Sequence, residues 1–209
     1  MKIAEILSSP EPGRALRQIP EAWPLYFELA PSISAGPAPF HTGSVLDHAC
    51  RVMDAVAGDP AAVWMALAHD AGKLLTPRSM LPHHYGHEAR GARLARAWAA
   101  ELGLGEDLAQ AGELAALWHM RAGRYLIMRP GKQRSLLLEV HSSPFADAFW
   151  KVVDADSRSC LGVAIAQDWR LLRAAIDAGL SDQGQIQAIH KHGLSALLKR
   201  SGKMGGATA

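Results

Sequence analysis

Eight consecutive residues without a polar side chain, Ala61-Ala62-Val63-Trp64-Met65-Ala66-Leu67-Ala68, run straight into His69-Asp70. A helix over this stretch is apolar on every face, so no side of it can be left in water and it belongs inside the fold. The run falls far short of the roughly 18 residues that a membrane span requires, so protein must bury it. Gly58-Asp59-Pro60 stand before it, with Asp59 a natural N-cap and Pro60 suited to a first helical turn. The spacing predicts a helix over 61–73. A histidine and a carboxylate at the end of a buried helix need partners, because an unpaired buried charge costs several kcal/mol. Neighbouring helical side chains project about 100° apart, so both can reach one metal ion lying against the helix. Taken alone, the dipeptide is more often a solvated pair at a helix end.

The rest of the chain reads as further helices. Residues 44–57 place Val45, Ala49, Val52, Met53 and Val56 on one stripe at helical spacing. Helices are also expected over 13–29, 88–102, 107–120, 144–159, 162–178 and 182–198, with a Pro/Gly/Ser loop over 31–40 and a basic loop over 121–131. No alternating segment reads as a strand, and no internal repeat is present. The expectation is an all-α, bundle-like fold. Residues 1–40 form an N-terminal helix and loop packed on a core domain over 41–200, and 201–209 form a disordered tail. At 209 residues, 49% hydrophobic and 20% charged, the composition suits one well-packed domain. The two cysteines, Cys50 and Cys160, form no CxxC, which argues against a disulfide framework or zinc knuckle and for a reducing interior. Residues 1–9 are too short and too charged for a signal peptide, so a cytoplasmic location with no membrane contact is expected. A net charge of +2 is compatible with an anionic substrate and is no evidence for nucleic-acid binding.

The candidates for chemistry are mostly histidines, of which there are ten. In the helix over 144–159 the apolar stripe runs Phe145, Phe149, Val152, Val153, and Asp156 returns to that inward face while Asp154 falls opposite. A carboxylate on a core-facing stripe is hydrogen-bonded, paired with a cation or bound to metal. His119 shares a face with Ala111, Ala115 and Trp118, where a lone histidine is more often a satisfied core residue than a ligand. His41 stands one turn before Val45 and can face inward, whereas His48, on the same helix, reads as a core or supporting residue. His87 opens a helix, where the dipole favours a neutral imidazole or a phosphate. His83 and His84 lie in the preceding loop, where exposure is the ordinary reading.

In combination these residues resemble a known family. His41, His69-Asp70 and Asp156 match the H…HD…D signature of HD-superfamily phosphohydrolases, and Gly72-Lys73 completes the frequent HDxGK form. Four passages resemble the HD domain of bacterial CCA-adding tRNA nucleotidyltransferases. They are His41-Thr42 with Val45-Leu46-Asp47; His69-Asp70-Ala71-Gly72-Lys73-Leu74-Leu75-Thr76-Pro77; Leu81-Pro82-His83-His84-Tyr85-Gly86-His87-Glu88 with Gly91-Ala92; and Ala155-Asp156-Ser157-Arg158. That family usually has Gly-Arg where this chain reads Ser159-Cys160. No nucleotidyltransferase head precedes the HD region, and Asp154-Ala155-Asp156 lacks the strand turn of such a head. CCA addition is therefore not expected of this chain, which reads as a free-standing HD domain.

The resemblance implies an HD-domain helical bundle and hydrolysis of a nucleotide-like phosphomonoester or phosphodiester, of the 2′,3′-cyclic phosphodiesterase, 2′-nucleotidase or phosphatase type. It implies metal at His41, His69, Asp70 and Asp156; with His87 and His119 also turned inward, six ligands would support two ions. Imidazoles with carboxylates suit Mn²⁺, Ni²⁺, Co²⁺ or Fe²⁺ better than Mg²⁺, with Zn²⁺ also compatible. Asp70 is expected to bind metal and orient water, and Lys73 to offset charge on the phosphate. His83, His84 and Arg158 are further candidates for contacting a small phosphate ester. Arg121 and Arg124, in a basic cluster with Arg129, Lys132 and Arg134, would contact phosphate or an RNA backbone; a solvated loop is the plainer reading. The rival is an HD fold kept as an RNA- or protein-binding module. A cyclic-dinucleotide phosphodiesterase of the HD-GYP type is disfavoured, because no Gly-Tyr-Pro motif is present.

Overall fold

The computed structural model describes residues 3–38, 41–125 and 128–160. The helices expected over 162–178 and 182–198, and the tail over 201–209, lie outside the described residues. Within them the chain forms α1 (Ile3–Leu7), α2 (Pro12–Gln18), α3 (Val45–Ala55), α4 (Pro60–Ala68), α5 (His87–Glu101), α6 (Gly105–Ala122), α7 (Pro130–His141) and α8 (Ala146–Ser159). The described residues contain no strand, only one isolated bridge between Ser34 and Ser44. No helix among them is long and apolar enough to cross a membrane.

The apolar helix α4 is the buried axis, with every residue from Ala62 to Ala68 inside the core. The Asp59 carboxylate caps it by accepting from the Ala62 amide at 3.2 Å, and Lys151 of α8 reaches the same carboxylate at 2.6 Å. α3, α5, α6 and α8 pack around α4. Two indole N–H groups that would otherwise be orphaned inside find backbone carbonyls: Trp64 donates to Leu108 and Trp98 to Leu25. The helix expected to reach residue 73 stops at Ala68, and residues Ala71–Leu75 form a 3-10 turn. In that tighter geometry side chains three apart eclipse, which stacks Lys73 onto Asp70.

Glycine makes a close crossing possible at this turn. A Cβ on Gly72 would run into the carbonyl oxygen of His87, and one on Gly91 would meet the Gly72 amide at 3.1 Å and the Ala116 methyl at 3.2 Å. The start of α5 thereby rests directly on the end of the His69-Asp70 segment.

The N-terminal region departs from expectation. Instead of one helix over 13–29, α2 ends at Gln18 and the chain continues as two 3-10 turns, Pro20–Ala22 and Phe27–Leu29. Pro20 and Pro24 are the reason, since neither can donate the amide that would continue a helix. Ile6, Leu16 and Phe27 nevertheless enter the core, with Phe27 set edge-on to Trp23 and Trp98. The basic loop expected over 121–131 is shorter, because α6 runs to Ala122 and α7 begins at Pro130. α7 has no counterpart in the sequence reading; it buries Gln133, Leu136, Leu137 and Val140, a complete helical stripe.

α3 starts with a capping box. The Ser44 hydroxyl accepts from the Asp47 amide at 3.1 Å, and the Asp47 carboxylate accepts from the Ser44 amide at 2.9 Å and from Arg17 of α2 at 2.8 Å. The Ser44 backbone hydrogen bond and Arg17 hold the Asp47 carboxyl down at about 2. Its contribution is therefore complete above the unfolded value of roughly 4 and is lost as pH falls through about 2. Asp47→Ala is expected to cost about 1 kcal/mol in urea unfolding at pH 7, with the difference shrinking between roughly pH 4 and 2. Gly72→Ala, which forces α5 off the 3-10 turn, should cost about 2 kcal/mol in the same assay.

Candidate metal centre

Asp70 ends the buried helix and is itself buried. Its two oxygens face two different pairs of imidazoles. Oδ2 lies 3.3 Å from Nε2 of both His48 and His69, while Oδ1 lies 3.4 Å from His87 Nε2 and 3.5 Å from His119 Nε2. Asp156, from α8, brings Oδ1 to 3.1 Å from His48 Nε2 and 3.9 Å from His69 Nε2. Six side chains, from α3, α5, α6, α8 and, for His69 and Asp70, the segment just after α4, thus converge. Two groups of three have mutually close donor atoms: His48, His69 and Asp156; and Asp70, His87 and His119.

The backbone fixes the tautomers. Nδ1 of His69 lies 2.7 Å from the Ala66 carbonyl, Nδ1 of His87 2.9 Å from the His84 carbonyl, and Nδ1 of His119 3.0 Å from the Ala115 carbonyl. A carbonyl only accepts, so each Nδ1 carries a proton, and in the neutral ring each Nε2 then presents a lone pair. His48 follows the same logic. The Ser159 hydroxyl donates to the Asp156 carbonyl at 2.9 Å, so it accepts from His48 Nδ1 at 3.1 Å. As neutral rings the inward nitrogens then confront one another, His48 against His69 at 3.1 Å and His87 against His119 at 3.4 Å, with no proton to share. Asp70 Oδ1 has no hydrogen-bond partner although it is buried.

Four inward lone pairs, two carboxylates and an orphaned carboxylate oxygen fit divalent cations. Outer hydrogen bonds from the far ring nitrogen are the usual means of orienting metal-bound histidines.

The charges agree. Burial would raise the Asp70 carboxyl, but the Lys73 charge and His69 outweigh it and hold it well below the usual carboxylate range. Asp156 is likewise held down against burial by the neighbouring imidazoles of His48 and His69. For His69 burial is overcome by the adjacent Asp70 charge, which pushes the ring's pKa up. Burial pushes His87 down to about 4, so that ring is neutral at pH 7.

The other expected site residues fall at varying distances from this cluster. Lys73 is buried, 2.7 Å from Asp70 Oδ2 and donating to the Ala35 carbonyl at 2.7 Å. His41, expected as a ligand, stands outside both groups, with its ring 5.3 Å from that of His48 and Nδ1 3.8 Å from Cys160 Sγ. It instead walls a cleft of about 250 Å³ together with Lys73, His83, His84, Tyr85 and His87. His48 is the residue that sequence reasoning left in a supporting role. Its signal was present, since it shares the inward stripe of α3 with Val45, Ala49 and Val52. His84, expected to be exposed, is buried: its Nε2 donates to the Ser34 carbonyl and its Nδ1 accepts from Thr76. His83 stacks on Tyr85 at the cleft. Arg121 and Arg124 line a neighbouring groove. Arg158 points away, paired with Asp154 at 2.8 Å on the outer side of α8.

Comparison with known proteins decides the family. The family model described as "HD domain" matches residues 40–149, more than half of the chain. The chain belongs to the HD domain family. That match includes His41, His48, His69, Asp70, His87 and His119, whereas Asp156 lies beyond it. Among curated relatives of this HD-domain protein is the multifunctional CCA protein of Halorhodospira halophila, 32% identical over 192 residues, covering 85% of this chain and 46% of that protein. The multifunctional CCA protein of Chromobacterium violaceum is 32% identical over 161 residues (68% of this chain, 40% of that protein). That of Actinobacillus pleuropneumoniae serotype 5b is 33% identical over 136 residues (63% and 32%). The chain spans less than half the length of these relatives. No solved structure matches it significantly.

His48→Ala removes a donor from one group, whereas His41→Ala changes only the cleft wall. Elemental analysis after dialysis should show metal lost from His48→Ala and retained in His41→Ala; the reverse order would put His41 in the ligand position.

Proposed function

We propose that this HD domain is a metal-dependent phosphohydrolase that cleaves a nucleotide-like phosphomonoester or phosphodiester at a centre where Asp70 and the imidazoles around it would hold divalent cations. The observation that carries this reading is the division of the Asp70 carboxylate between two imidazole pairs, with one oxygen left unpartnered inside the protein. Membership of the HD domain family supports the metal-dependent hydrolase class, and the named relatives point to a nucleotide or RNA end as the kind of ester. His48, His69 and Asp156 would hold one ion, and His87 and His119 the other. Mixed imidazole and carboxylate donors favour Mn²⁺, Ni²⁺, Co²⁺ or Fe²⁺ over Mg²⁺. Such ions supply Lewis acidity toward a phosphoryl oxygen and make water a nucleophile at neutral pH.

The chain's own groups do the rest. Lys73 fixes the Asp70 carboxylate by a charged hydrogen bond from its eclipsed position in the 3-10 turn. The cleft lined by Lys73, His41, His83 and the candidate ligand His87 would receive the phosphate and its sugar. His41, which burial brings to about 4, is neutral at pH 7, and its ring N–H can donate to a phosphoryl oxygen.

The test compares wild type with Asp70→Ala on p-nitrophenyl phosphate and bis-p-nitrophenyl phosphate with added Mn²⁺ or Ni²⁺, beside metal analysis. About two ions per chain are expected in wild type. Loss of both the metal and at least about 100-fold in kcat/KM is expected in the variant, since Asp70 faces both imidazole pairs. Folded, metal-loaded wild type that turns over neither ester overturns the reading.

A further inference from the structure

The last turn of α8 brings three side chains to the candidate metal centre: Asp156, Ser159 and Cys160. Asp156 is one of its donors, and Ser159 turns His48 by accepting from Nδ1 at 3.1 Å. Cys160 ends the helix, its amide donating to the Asp156 carbonyl at 3.1 Å. Residues four apart stand one above the other on a helix, so the sulfur arrives on the same side as the Asp156 carboxylate. Its thiol donates to Asp156 Oδ1 at 3.7 Å, the oxygen that also faces His48 and His69. On the other flank of the sulfur lies His41 Nδ1, at 3.8 Å. Cys160 is half-buried, whereas Cys50, the other cysteine, is buried on α3.

Two independent observations make this more than a cysteine beside a carboxylate. The first is spacing. A sulfur about 2.3 Å and an oxygen about 2.1 Å from one tetrahedral ion are roughly 3.6 Å apart. The Cys160–Asp156 separation of 3.7 Å is that of two ligands sharing an ion. The second is the need already present at the same oxygen. His48 and His69 are fully buried, and as neutral rings their Nε2 lone pairs face one another at 3.1 Å with no proton between them.

Building on the metal-centre reading, we propose that Cys160 is a further ligand of the ion that His48, His69 and Asp156 would hold, bound as the thiolate once its proton has left to solvent. The donor set then carries sulfur beside imidazole and carboxylate. Sulfur is a soft donor, so it moves the preference of this position toward Zn²⁺, Co²⁺ and Fe²⁺ and away from Mn²⁺, which suits oxygen ligands. Ser159 and Cys160 stand where the HD domains that this chain resembles usually have Gly-Arg, so the sulfur sets its centre apart from theirs.

The test is an anaerobic titration of the metal-free full chain with Co²⁺, read by absorption, with a phosphine reductant so that no other thiol is present. Bound Co²⁺ gives weak visible bands, and a thiolate on the ion adds an intense charge-transfer band in the near ultraviolet. Wild type should show both. Cys160→Ser should keep the visible bands and lose the near-ultraviolet band, while Cys50→Ala should keep both. The chain has only two cysteines, so a band retained in Cys50→Ala belongs to Cys160 even if Cys160→Ser folds poorly. In competition, Zn²⁺ should bind Cys160→Ser at least about tenfold more weakly than wild type, with Mn²⁺ affinity held within about threefold.

Visible bands without the near-ultraviolet band in wild type overturn the proposal and leave the metal centre standing. A band that survives in Cys160→Ser, or vanishes in folded Cys50→Ala, also overturns it. Equal losses of Zn²⁺ and Mn²⁺ affinity in Cys160→Ser would reduce the residue to a structural role and overturn it as well. A near-ultraviolet band from a protein that hydrolyses no ester supports the ligand and removes only the hydrolase reading. Absence of every cobalt band removes both the ligand and the centre.

Discussion

A single buried carboxylate organises this molecule. Asp70 sits at the end of a helix with no solvated face, where a bare negative charge would be costly, and everything around it supplies compensation. Lys73 arrives by the local tightening of the chain into a 3-10 turn. The imidazoles of His48, His69, His87 and His119 arrive from different parts of the sequence, each turned by a hydrogen bond at its far nitrogen. Without added cations the arrangement is over-supplied with lone pairs, and that excess is the clearest chemical statement the fold makes. The same constraint explains the close glycine crossing, since His87 reaches Asp70 only if α5 comes within backbone contact of Gly72.

Much of this was legible in the residues. The all-apolar run before His69-Asp70 required a buried helix, and the helical stripe in the last described element put Asp156 inward and Asp154 outward. The caps at Ser44 and Asp59 marked two helix starts. What was not legible has identifiable causes. His48 had the periodicity of a core residue, and periodicity alone does not distinguish a ligand from a packed ring; only its distance to Asp156 does. His41 matched the family pattern but sits in a loop whose course is set by tertiary contacts rather than by its own sequence. α7 has its apolar residues among Lys132, Arg134 and Glu139, so its stripe shows clearly only once α6 and α8 flank it. The break of the 13–29 segment was written in Pro20 and Pro24, whose veto outweighs the apolar spacing around them.

Charge is distributed with equal economy. The chain is nearly neutral overall, but among the described residues three cations, Arg121, Arg124 and Lys132, line one groove beside the cleft, while six others are tied to carboxylates. Net charge therefore says little about this protein's ligands, and local charge says a good deal. The exposed His83–Tyr85 pair adds the apolar counterpart on the opposite rim.

The loop before α3 carries a consequence for how the protein can be divided. Lys73 donates to the Ala35 carbonyl and His84 to that of Ser34, so two backbone oxygens from this proline-rich loop hold side chains at the cleft. The family match begins at residue 40 and ends at 149, which leaves Ala35 on one side and Asp156 on the other. A fragment trimmed to those limits would keep the histidine-aspartate pair yet leave a buried ammonium short of one acceptor and one imidazole pair short of its carboxylate. The boundaries by which the family is recognised are narrower than the unit that holds the chemistry together.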